Sequence, residues 1–155
     1  MTPAMAETPN LAFVSDTRSR FYGAKVTVFV GSRIVTILRD NKAVIPFPGH
    51  WDLPGGGREG KESAWDCAAR ECQEETALVL DRADLLWGRP YQTGIHTNWF
   101  FVACISEDRA AGMTLGDEGQ ALKLMTADEY LCHPKAIPHF QKRLADWIAG
   151  CAGAL

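Results

Sequence analysis

The chain has 155 residues, 46% hydrophobic and 23% charged, which suffices for one globular domain with a buried core and is short for two. A formal net charge of −3, with no Lys/Arg cluster larger than a pair such as Arg18 and Arg20, argues against a protein that grips nucleic acid by neutralising phosphates; a small phosphate ligand carried with a cation stays compatible. The five cysteines, at 67, 72, 104, 132 and 151, show no CxxC pair or zinc-type spacing, no signal-like apolar region opens the chain, and no run of about 18 apolar residues occurs, so a reduced, cytoplasmic protein without a membrane partner is expected.

Residues 1 to 20 mix Pro, Thr, Ser, Asn and charge with little periodicity and read as a loosely ordered, flexible leader, with Met5 as an alternative start and the fold beginning near Phe21. Lys25 to Val30 and Arg33 to Arg39 are β-branched runs joined by Gly31-Ser32, the pattern of a hairpin. Two prolines and a glycine make residues 40 to 50 a loop, Trp51 to Leu53 a short strand, and the glycine run 55 to 57 a tight turn. Ser63-x-x-Asp66 fits a capping box opening a helix from Ala64 to about Thr76. Leu78 to Leu80, Leu85 to Thr93, Thr97 to Ser106 and Ala121 to Thr126 read as strands, the longest being the natural central one. Ala127 to Cys132 reads as a helical turn capped by Thr126. Pro138 to Ala149 reads as a closing helix with apolar residues at 140, 144, 147 and 148, followed by a short tail from 151 to 155.

On a helical wheel, Ala64, Trp65, Ala68, Ala69, Cys72 and Thr76 share one arc of the first helix, while Cys67, Glu71, Glu74 and Glu75 share the next. Carboxylates crowded into one turn repel each other and gain little without a cation. With only hard oxygen ligands at this spacing, Mg²⁺ is the natural choice and Mn²⁺ a workable substitute. The glycines ahead of the helix let a backbone carbonyl or amides approach metal and phosphate without a Cβ in the way. Arg70, four residues before Glu74, is placed to pair with that carboxylate.

Gly56, Glu62, Arg70, Glu71, Glu74 and Glu75 follow the pattern G-x5-E-x7-R-E-U-x-E-E-x-G-U, and the chain resembles a Nudix hydrolase of the MutT-like kind. The likeness extends to WDLPGG at 51 to 56 and LGDEGQALKLM at 115 to 125, and so spans roughly residues 21 to 150. The resemblance implies an α/β fold in which a mixed sheet is sandwiched between the acidic helix and the C-terminal helix. It also implies a metal held by the Gly55 carbonyl with Glu74 and Glu75, Glu71 as general base or further ligand, Arg70 orienting Glu74, a mainly structural Glu62, and Glu118 as the acid outside the box, with Asp117 its near competitor. The implied reaction is hydrolysis of a diphosphate linkage in a nucleoside diphosphate derivative by a metal-activated water.

The pattern is departed from at Ala77, where it has Gly and where a left-handed backbone would cost Ala roughly 1 kcal/mol, and at Cys72, a conservative apolar substitute. Cys67 reads as a passive thiol. Trp51, Trp87, Tyr91 and Trp99 read as core aromatics and not as base-stacking groups. Arg58 and Lys61 read as solvated loop cations with phosphate contact the lesser reading, and His96 is the histidine placed to touch a phosphate. No Asn follows Asn98, so an Asn-based purine reader in the C-terminal region is not expected. The expected partner is a nucleoside triphosphate, nucleotide sugar or dinucleotide. A homodimer is compatible, and the competing class is a non-catalytic module that binds a nucleotide or ADP-ribose, for which a damaged acid set would be the mark.

Overall fold

Two runs of buried residues on adjacent strands decide the architecture, because in each the side chains alternate between two separate cores. The computed structural model describes residues 12–153. In chain order it contains β1 (Gly23–Val30), β2 (Arg33–Leu38), β3 (Trp51–Asp52), β4 (Gly55–Gly57), α1 (Ala64–Thr76), β5 (Leu85–Thr93), β6 (His96–Ile105), α2 (Glu107–Ala110), β7 (Ala121–Thr126), α3 (Ala127–Cys132) and α4 (Pro138–Gly153). The strands form one mixed seven-stranded sheet in the order β3-β2-β1-β6-β5, with β4 joining β1 and β7 joining β2. β1 and β6 run parallel from Gly23 opposite Asn98 to Val30 opposite Ile105, and the other pairings are antiparallel.

Val26, Val28, Val30, Phe101, Ala103 and Ile105 turn to the face covered by Ala64, Trp65, Cys67, Ala68 and Cys72 of α1. Phe29, Ile34, Phe100 and Val102 turn to the opposite face, covered by Tyr130 of α3 and Phe140, Leu144 and Trp147 of α4. This is the period of two that a strand buried on both sides must show, and it gives the expected α/β sandwich. β6 is interior, as its length and apolar character predict, although the middle of the strand path is β1.

Three local expectations need correction. Leu78 to Leu80 forms no strand: Leu78 and Leu80 are buried but the segment has no ladder, because alternating burial reports packing and not the presence of a neighbouring strand edge. The glycine run is itself strand β4, pressed so closely on β1 that a Cβ on Gly55, whose φ is +143°, would collide with the Ala24 carbonyl. Ser63 caps α1 by accepting the Asp66 amide at 3.1 Å, but the expected capping box is only half made, since the Asp66 carboxylate does not accept the Ser63 amide in return.

The expected leader falls partly outside the described residues, which begin at 12. Within them, Ala12–Ser15 is a 3-10 turn, and Val14 is buried in the α1 core. Arg58 holds the strand entrance by donating to the carbonyls of Thr17 (2.8 Å), Ser19 (3.1 Å) and Glu62 (3.0 Å), with its guanidinium over Phe21. It is a backbone clasp and not a phosphate contact. Among the described residues no helix is long and apolar enough to cross a membrane.

α1 ends at Ala77 in the left-handed region, φ 63°, with its amide donating to Gln73 O at 2.9 Å. A Cβ is strained in that conformation, so Ala77→Gly is expected to stabilise the fold by about 1 kcal/mol, seen as a rise of about 2–4 °C in thermal denaturation. An unchanged or lowered Tm would show that the cap is not strained.

Candidate active site

The acidic face of α1 is organised by one guanidinium. Arg70 donates to both oxygens of Glu62 (Nε to Oε2 at 3.0 Å, Nη2 to Oε1 at 2.8 Å), to Glu71 Oε1 (2.9 Å), to both oxygens of Glu74 (3.2 and 3.3 Å) and to the Gly57 carbonyl (3.0 Å). Glu59 adds an ion pair at 3.6 Å. Arg70 therefore orients Glu71 as well as Glu74, and ties the helix to β4. The Glu62 carboxyl is held below the usual carboxylate range, chiefly by its hydrogen bonds from Arg70, and accepts the Glu59 amide, so it fastens loop to helix.

Glu75 is held differently. Its Oε1 accepts the Gly55 amide at 2.7 Å, and its pKa is pushed up to about 7, first by burial and against the pull of Lys25 and that amide. The Gly55 carbonyl accepts from the Lys25 ammonium at 3.1 Å, and the same ammonium reaches Asp52 at 3.1 Å and Leu53 O at 3.2 Å. Asp52 is also paired to Arg39 at 2.9 Å. In this arrangement the acids are shared among three partners, and among the described residues no three acidic, His or Cys side chains converge into a metal-holding set.

The donor chemistry nonetheless fits a hard dication. The oxygens are carboxylates and a carbonyl, and Cys67 is out of reach as a ligand, its thiol pushed up to about 12 by burial first and Glu62 next, with Sγ donating to Gly56 O. Cys67 belongs to the packed stripe and not to the acidic arc. Gly56 supplies the gap above Glu71: a Cβ there would lie 2.6 Å from the Glu71 carboxyl carbon.

Glu118 comes from the loop preceding β7. That loop is stapled to the end of α1 by the Gly116 amide on Glu75 O (2.9 Å) and the Thr114 amide on Thr76 O (3.0 Å). Glu118 and Glu75 line one cavity of about 170 Å³ with Asp40 and Asp52, and Asp117 does not line it.

A larger cavity of about 440 Å³ opens beside Gly56 and Gly57. Its other walls come from the start of β1, the loop between β2 and β3 with Asp52 of β3, the ends of β5 and β6, and α4. His96 lines it, ring to ring with Tyr22 at 4.3 Å, and of the four aromatics weighed from sequence only Trp99 does. Trp51, Trp87 and Tyr91 pack against the α4 core. Phe47, with a φ of 49°, meets His139 at 5.6 Å across the cavity. Sequence reasoning missed Lys25, Arg39, Asp52, Phe47, His139 and Arg143. Two of these carried a signal: Lys25 stands in an otherwise apolar strand, and Arg143 falls on the apolar stripe of α4 between Phe140 and Trp147.

With this geometry in view, the chain belongs to the NUDIX family, whose domain model matches residues 21–148, and it is a Nudix hydrolase. It is similar to the MutT protein from Methanosarcina mazei Go1 (17% identity, TM-score 0.67, covering 86% of this chain and 96% of that one). It is also similar to a C. elegans Ap4A hydrolase in a binary complex (18%, 0.65, 84% and 98%). A third likeness is to the bifunctional NMN adenylyltransferase/ADP ribose pyrophosphatase from Francisella tularensis complexed with AMP and Mn ion (18%, 0.66, 86% of this chain and 42% of that one). At these identities the likenesses show the shared fold. No curated protein sequence matches the chain.

Because a Cβ on Gly56 meets the end of a side chain and not backbone, Gly56→Ala should fold but push the Glu71 carboxylate off its place. The expected loss in hydrolysis is about 100-fold, the size associated with a misplacement of about 1 Å, with Tm nearly unchanged. Wild-type turnover by this variant would show that the placement of Glu71 against β4 is immaterial.

Proposed function

We propose that the protein is a Mg²⁺-dependent pyrophosphohydrolase acting on a nucleoside diphosphate derivative, with Mn²⁺ able to replace Mg²⁺. The observation that carries this reading is the joining of Glu71 and Glu74 through Arg70 to a glycine strand that forms the edge of a nucleotide-sized cavity.

Glu71, Glu74, Glu75 and the Gly55 carbonyl would hold the cation, with Glu118 a further acid on the side of Glu75. The chemistry such a cation supplies is charge neutralisation on the diphosphate and a lowered pKa for the attacking water. Arg70 holds the carboxylates of Glu71 and Glu74 on one surface through shared hydrogen bonds, which would limit how far their oxygens move to meet the cation. Glu71, seated against Gly56, would be the group that accepts the proton of the attacking water. Lys25 and Arg39, closed on Asp52, set a positive wall where a phosphate chain enters the large cavity. The intact set of acids favours turnover over a purely binding role.

The test is release of phosphate or nucleotide from nucleoside triphosphates, nucleotide sugars and dinucleotides in Mg²⁺. Glu71→Gln is expected to reduce turnover by about 10²–10⁴-fold, and excess EDTA to abolish it. Turnover that survives EDTA, or that is equal in wild type and Glu71→Gln, would remove this mechanism, and ligand binding without any turnover would favour the binding module.

A further inference from the structure

The large cavity is lined by three permanent cations, Lys25, Arg39 and Arg143, and their charge balance differs. Lys25 and Arg39 are both closed on Asp52. Arg143 is 7% exposed, and its hydrogen bond is a long one, 3.4 Å, to the neutral hydroxyl of Thr93. Its guanidinium lies 4.7 Å from the Tyr91 ring centroid and 5.7 Å from that of Phe140. Asp146, the nearest acid along α4, instead accepts the Tyr91 hydroxyl at 2.8 Å and faces Arg89 at 3.8 Å. Among the described residues no carboxylate stands within ion-pair distance of Arg143. His139 beside it, neutral or cationic, offers no countercharge, and burial and then Arg143 itself lower its pKa toward the neutral form.

A guanidinium taken out of water without a counter-anion is costly, and two ring faces with one long hydrogen bond offset only part of that cost. Burial accordingly lowers the Arg143 pKa. Arg143 rests on the ring of Tyr91, whose strand is three strands away from the glycine strand to which the acids are tied. At the level of Gly23 the ladder runs Gly57, Gly23, Asn98, Tyr91, and three strand spacings amount to about 14 Å. A single diphosphate is much shorter than this.

We infer that Arg143 is a specificity-determining residue that binds a second oxyanion of the substrate, held away from the scissile diphosphate by a spacer of nucleoside size; the inference rests on the hydrolase reading above. The planar fork of arginine suits a phosphate monoester or a carboxylate, each able to supply the missing charge and two parallel acceptors. The substrate class is thus a nucleoside diphosphate derivative that carries an additional anionic group.

The experiment is calorimetric titration in EDTA, which leaves the acid end without a cation, using adenosine, AMP, adenosine 3′,5′-bisphosphate and adenylosuccinate. Wild type should bind the bisphosphate or the succinyl compound about 10-fold or more tightly than AMP, the size expected for a charge-assisted bond, and the one preferred identifies phosphate or carboxylate as the source. Arg143→Met should lose that margin while still binding AMP. Arg143→Gln serves the same purpose where the methionine variant does not fold, and Arg143→Lys should keep part of the margin. The inference is overturned if wild type shows no margin for either the bisphosphate or the succinyl compound, if the margin survives loss of the guanidinium, or if adenosine binding falls equally, which would assign Arg143 to the base. Glu71→Gln should keep the margin while losing turnover, so failure of the hydrolase reading and failure of this one give different results.

Discussion

Glu59, Glu62, Glu71 and Glu74 lie close enough to repel one another, and the Arg70 guanidinium is what allows them to share one surface. A lysine could supply the charge but not the geometry, since the planar fork meets Glu62 with two nitrogens while Nη1 reaches Glu71 and Glu74 and Nη2 reaches the Gly57 carbonyl. That last bond carries the effect beyond the helix. It ties α1 to β4, and β4 in turn is paired with β1, so the positions of the acids are referred to the middle of the sheet and not to a loop.

The remaining acid is governed by a second, smaller system. Glu75 takes the Gly55 amide, while the carbonyl of the same glycine takes the Lys25 ammonium. One peptide residue thus links a half-buried carboxylate to a cation that lines the large cavity. The two cavities meet along the Arg39–Asp52 pair, which lines both. The acids and the space for an organic ligand are therefore parts of one electrostatic unit, with negative charge concentrated at α1 and positive charge distributed along the wall opposite.

How much of this was legible in the sequence depended on how local the determining contacts are. The start of α1 at Ser63, its left-handed end at Ala77, the joining of Arg70 to Glu74 and the apolar stripe of α4 all arise from residues within a few positions of each other, and spacing alone exposes them. The β4 pairing was not legible, because a glycine run written for close approach looks the same as one written for a turn until the neighbouring strand is known. Leu78 to Leu80 failed for the complementary reason: its alternation is real, but pairing needs a free strand edge. The large cavity was the least accessible, being assembled from residues as distant in the chain as Tyr22, Phe47, His96 and Phe140. Lys25 and Arg143 were visible only as charges out of place in apolar patterns, which marks them as unusual without saying what they face.

The pairing of β1 has a dynamic consequence. One edge of this strand is bonded to β6 along its whole length; the other is bonded to β4 over Gly23–Lys25, to the Pro54 carbonyl through Val26, and to β2 at Phe29–Val30. From Val26 to Val30 its apolar side chains lie in the two helix-covered cores, whereas Gly23, Ala24 and Lys25 line the large cavity. Amide exchange along Val26–Val30 is therefore expected to need a wider opening of the domain than exchange at the Gly23–Lys25 end, where the strand borders the cavity. Any slow breathing that admits or releases a ligand is thus expected at the cavity end of the strand, beside Gly55 and Gly56, and not along its helix-covered half.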